Sequence, residues 1–117
     1  MKKLLLPLFA LALLSGCATR HQDHYYWGSY EQLLLDMYVN PGSATPDMQI
    51  EKLTADIQKA EALGKPTPPG VFAHLGLMYA TQGNSAQAEA AFAKEEQLYP
   101  ESKTLIDGML KRSHEKK

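Results

Sequence analysis

The stretch PGVFAHLGLMYATQGNSAQAEAAFAKEEQLYP, residues 69–100, decides the fold. Its two apolar segments are separated by Gln82-Gly83-Asn84, a turn signal. The first segment predicts a helix from about Pro69 to Thr81. The second, rich in alanine and so strongly helix-forming, predicts one from about Ser85 to Leu98, stopped by Tyr99-Pro100. Two helices joined by so short a turn must run antiparallel. Gly76 and Ala88 are small where such helices touch and let the backbones approach. Tyr79 and Phe92 then fill the volume beside that contact.

Counted from Pro69 as position one, this spacing resembles a tetratricopeptide repeat. Phe72 stands at position four, Leu75, Gly76 and Tyr79 at seven, eight and eleven, Ala88 and Phe92 at twenty and twenty-four, and Pro100 at thirty-two. Two places depart: Phe72 replaces the usual Trp, and Glu95 stands at position twenty-seven, where Ala is expected. That position packs on the next repeat, so a fifth helix is expected to cap the stack loosely.

The same reading extends in both directions. Ser29-x-x-Gln32 has the pattern of a capping box and opens a first helix, with Leu33, Leu34, Met37 and Tyr38 at helical spacing. Asn40-Pro41-Gly42 stops it. Thr45-Pro46-Asp47 opens a second helix striped by Ile50, Leu53, Ile57, Ala60 and Leu63, and Gly64-Lys65-Pro66 ends it. Pro66 lies one repeat period before Pro100, so the first two helices form a degenerate, repeat-like hairpin. A fifth helix, about Ser102 to Arg112, carries Leu105, Ile106, Met109 and Leu110. No period-two pattern suggests a strand. The fold class is all-α: short antiparallel hairpins, tetratricopeptide-like, with a C-terminal capping helix. Solenoids need about three repeats for stability, so surface near one end is expected to be completed by another molecule.

The leader reads separately. Met1-Lys2-Lys3 is a basic start, and residues 4–14 are apolar except for Pro7, a run short of the roughly 20 residues a spanning helix needs. Leu14-Ser15-Gly16-Cys17 follows and resembles a bacterial lipobox. Small residues at 15 and 16 admit an extended backbone to a peptidase cleft, and the thiol can carry a diacylglycerol thioether. The organisation expected is a lipoprotein signal peptide over 1–16, a lipidated tether over 17–24, a helical domain over 25–112 and a charged tail over 113–117. Cys17 is the single cysteine, so no internal disulfide can form. No cofactor is expected beyond the covalent diacylglycerol and N-acyl lipid on Cys17. With residues 1–16 removed, 10 basic and 13 acidic side chains remain, a net charge of −3. Several acyl chains on one residue anchor stably. Ala18, not Asp, follows the cysteine, which by resemblance to enteric lipoprotein sorting implies the periplasmic face of the outer membrane. Residues 18–24 reach roughly 25 Å when extended, so the domain works close to the membrane surface.

No glycine-rich phosphate loop, nucleophile elbow or paired-histidine zinc motif is present, so no enzyme activity is expected. His21 and His24 flank Asp23 but lie in the tether, where the entropy of ordering opposes metal binding; no metal site is expected. Charges of mixed sign over 89–117 read as a solvated face, and nothing suggests nucleic acid. By the tetratricopeptide resemblance, a partner-binding groove is expected at Ala73, His74, Leu77, Ala80 and Thr81, beside Gly70, without the basic clamp that reads a carboxylate. Tyr25, Tyr26, Trp27 and Tyr30 have three readings: packing on the core, sitting at lipid headgroup level, or forming a partner hot spot.

Tyr26-Trp27-Gly28-x-Tyr30, Asn40-Pro41-Gly42, Gly64-Lys65-Pro66 with Pro69-Gly70, His74-Leu75-Gly76 and Tyr99-Pro100-Glu101-Ser102 together resemble a family of small bacterial lipoproteins, domain of unknown function 4810. The resemblance implies no catalytic residues. It implies a neighbouring envelope lipoprotein that resembles the curli secretion channel as partner. The expected function is a non-catalytic interaction adaptor, and the second reading is a periplasmic module for peptides or peptidoglycan fragments.

Overall fold

The computed structural model describes residues 24–115. Among them are five α-helices and no strand: α1 (Tyr30–Val39), α2 (Pro46–Ala62), α3 (Val71–Thr81), α4 (Ser85–Leu98) and α5 (Lys103–Glu115), with 3-10 turns at Pro41–Ser43 and Pro100–Ser102. The all-α reading holds. Cys17 and the leader lie outside the described residues.

Local chemistry sets most boundaries. The Thr45 hydroxyl accepts the Met48 amide, and Pro46 occupies the first turn, where its missing N–H is harmless. Asn84 caps α4 by accepting the Gln87 amide at 3.3 Å. The capping box at α1 does not form. Ser29 is the cap residue, but its hydroxyl and its amide both donate to Asp56 Oδ2, at 2.8 and 2.9 Å. Gln32 donates to Asp36 instead. A charged acceptor on α2 makes stronger bonds than the local box.

The core has two linked parts. Leu33, Leu53, Ile57, Val71, Leu75 and Ala91 join α1 through α4, with Tyr30, Ile50, Phe72 and Tyr79 packed around them. Ala73, Ala88, Phe92 and Ile106 join α3, α4 and α5, flanked by Met109 and Leu110. The α3–α4 hairpin is the most extensive helix pairing among the described residues, and a close one. A methyl at Gly76 would fall 2.6 Å from the Phe92 ring and 3.1 Å from the Ala88 carbonyl oxygen. Phe92 therefore sits directly over the glycine. Tyr38 and Leu63 depart from the predicted stripes: both are exposed, Tyr38 on the side of α1 opposite buried Leu33 and Leu63 as the cap residue just past the end of α2.

The last helix does pack less extensively on its neighbours than α3 and α4 pack on each other, but Glu95 is not the misfit expected. Glu95 is completely buried, and Ile106 of α5 is buried with it. The Glu95 carboxylate accepts the Gly70 amide at 2.7 Å and the Ala73 amide at 3.3 Å, at the start of α3, and the Ser102 hydroxyl at 3.3 Å, at the start of α5. Gly70 is the cap residue of α3 and has no side chain to offer. A carboxylate from α4 takes over that task at the positive end of the helix.

Candidate functional site

The aromatic segment is built into the fold at four places. The Tyr25 ring meets Tyr99 edge-on, with centroids 6.4 Å apart. The Tyr26 amide donates to the Pro66 carbonyl at 3.2 Å. Gly28 has φ +52°, and a Cβ there would overlap the Asp56 carboxylate at 2.3 Å. Trp27 meets Tyr25 edge-on at 6.2 Å, stacks on Tyr30 at 6.4 Å, and stays partly exposed. Tyr30 meets His74 edge-on at 5.7 Å. A continuous row of rings thus runs Tyr99, Tyr25, Trp27, Tyr30, His74.

Two hydroxyls of this row, those of Tyr99 and Tyr30, are held against ionisation. Tyr99 donates to the Thr67 carbonyl. Burial first, then the neighbouring Tyr25 and Glu95, push its hydroxyl up to about 12. Burial, with a smaller push from Glu95, also raises Tyr30.

The predicted groove residues are not brought onto one open surface. Ala73 is buried against Ala88, Phe92 and Ile106, and Ala80 packs beside the same cluster. Leu77 and Thr81 are exposed, and the Thr81 hydroxyl bonds back to the Leu77 carbonyl. His74 is engaged at both nitrogens. Buried Gln49 donates through Nε2 to the Ala44 carbonyl at 2.5 Å, which leaves its Oε1 to accept from His74 Nε2 at 2.7 Å. Nδ1 is then the acceptor for the Tyr30 hydroxyl at 3.4 Å. Burial lowers the histidine's pKa, consistent with this neutral form.

Sequence reasoning did not find the open apolar groove between α2 and α4, of about 380 Å³. Ile57, Phe72, Leu75, Tyr79, Ala90 and Ala91 line it, together with the polar Glu61, Gln87 and Lys94. The exposed alanine on α4 beside a stripe of larger side chains was the available signal. Among the described residues, no group of three His, Cys, Asp or Glu side chains is placed to hold a metal ion. No helix there is long and apolar enough to cross a membrane.

The family model for a domain of unknown function (DUF4810) matches residues 24–109, and the chain belongs to that family. No curated protein and no solved structure was found to match it.

Proposed function

We propose that the protein is a non-catalytic adaptor, lipid-anchored through Cys17 at the periplasmic face of the outer membrane, that docks on a neighbouring envelope lipoprotein. One observation carries the docking half of this reading. The groove between α2 and α4 presents six apolar side chains together with a carboxylate, an amide and an ammonium, a composition suited to a protein segment. The tetratricopeptide-like character of residues 69–100 is part of the same proposal. The seat of Phe92 over Gly76 supports it, because that repeat depends on such close approach.

The anchoring half rests on the leader pattern and on the way the chain enters the fold. Tyr25 is already packed on Tyr99, only eight residues after Cys17, so the tether holds the domain near the bilayer.

Pull-down of the acylated protein from detergent extracts tests the reading. An envelope lipoprotein should be recovered at physiological salt, and Ala90→Arg, which fills the groove without touching the core, should lose it. Recovery of no envelope protein overturns the adaptor reading, and an unmodified Cys17 by mass spectrometry overturns the anchor.

A further inference from the structure

The outer face of α1 carries apolar side chains where a surface helix ordinarily carries polar ones. Leu35, Tyr38 and Val39 are spaced three and four apart on the side opposite buried Leu33, and they are 52, 85 and 72% exposed. Partly exposed Trp27 stands just before the helix. Glu31 and Gln32 share the exposed side. Asp36 turns toward Lys52, at 3.8 Å, and toward Gln32. No basic residue lies on α1.

We propose that this face rests on the bilayer surface to which the protein is tethered, an inference that depends on the anchored reading above. Three observations favour that occupant. The first is reach. From Tyr30 to Val39 a helix rises about 14 Å, less than the roughly 25 Å that residues 18–24 can span. An anchor at Cys17 therefore keeps α1 close enough to the bilayer for this face to meet it. The second is chemistry: a tyrosine with aliphatic neighbours suits the headgroup boundary, where one end of the ring is dry and the other wet. The third is area. Three side chains fall well below the roughly 800 Å² per partner of a stable dimer. The same patch suffices against a surface that a short tether keeps permanently close. Residues 18–24 themselves contain no large apolar side chain to cover it. Because α1 lacks cations, the contact should not require anionic lipid, unlike basic interfacial helices.

The test uses the full acylated protein in vesicles of phosphatidylethanolamine, with and without phosphatidylglycerol. With Cys17 acylated, Tyr38→Cys supplies the one thiol for a spin label, and Gln97→Cys on α4 is the control. The label at 38 should be shielded from a water-soluble nickel relaxant at least about threefold more than the label at 97, in both lipid mixtures. Leu35→Ser with Val39→Ser should abolish the difference while the protein still floats with the vesicles. Equal exposure of both labels on floating, acylated protein overturns this inference and leaves the anchor intact. Spin–spin broadening between labels at 38 overturns it in favour of a second copy. Protein that stays in solution with Cys17 unmodified overturns the anchor and this inference with it.

Discussion

The carboxylate of Glu95 lies 2.7 Å from the amide of Gly70, twenty-five residues earlier in the chain. The tie joins the last turn of α4 to the first turn of α3, and through Ser102 it reaches the start of α5. A residue that breaks the repeat pattern thus supplies the cap that the repeat's own glycine lacks.

Glu95→Ala should destabilise the domain by about 2–4 kcal/mol, because it strands two amides and a hydroxyl in the interior. Glu95→Gln retains an acceptor and should cost about half as much. Urea unfolding followed by circular dichroism checks both. A loss below roughly 0.5 kcal/mol for the alanine variant contradicts the capping role.

Gly76→Ala should destabilise by about 1–3 kcal/mol, the usual consequence of overpacking. Phe92 must move, since the added methyl would sit 2.6 Å from its ring. Combining Gly76→Ala with Phe92→Leu should be less harmful than the two separate losses added together. Additive losses in a double-mutant cycle disprove the contact.

Asp56→Ala should release the aromatic segment while sparing the helices. Asp56 holds both the Ser29 amide and hydroxyl. Trp27 is the single tryptophan, so its fluorescence reads this event directly. A red shift and faster acrylamide quenching are expected, at a stability loss of about 1–3 kcal/mol. Unchanged emission contradicts the tie.

Burial of His74 makes stability depend on pH at the acid end, and burial of Tyr99, with Tyr30 raised in the same direction, does so at the alkaline end. His74 has its pKa lowered by burial, so the unfolded chain binds the proton more readily. Its contribution is present above the unfolded value of about 6.5 and is lost as pH falls toward the folded value. Tyr99 is raised to about 12. Its contribution is present below the unfolded value near 10 and is lost as pH rises from there toward 12. Melting temperature against pH should therefore fall at both ends. His74→Gln should flatten the acid limb, Tyr99→Phe should lessen the alkaline limb, and Tyr99→Phe with Tyr30→Phe should flatten it. A limb that survives its own substitution belongs to another group.

The helices were legible because their signals are local. Thr45-Pro46 marks a start that the structure reproduces, and α4 keeps its predicted bounds. Phe92 over Gly76 was legible because small and large residues recur at fixed spacing. The polar ties were not. Asp56 is one of several charges on α2, and only the folded chain brings it beneath Gly28. Ser29 looked like a local cap because its competing partner is twenty-seven residues away. Glu95 read as a defect for the same reason, since its three donors come from elements that sequence spacing does not connect. The exposed apolar face of α1 was hidden by merit: Leu35 and Val39 look no different from core residues until Leu33 is seen to point the other way.

The segment leading into α1 touches the end of α4 through Tyr25, the joint before α3 through Tyr26 and α2 through Ser29, and the first residue of α1, Tyr30, touches α3. Stacked repeats ordinarily lose structure one unit at a time, because each unit knows only its neighbours. A strap laced across both hairpins removes that independence. The domain should melt in a single all-or-none step, so that damage at either end is felt along the whole chain.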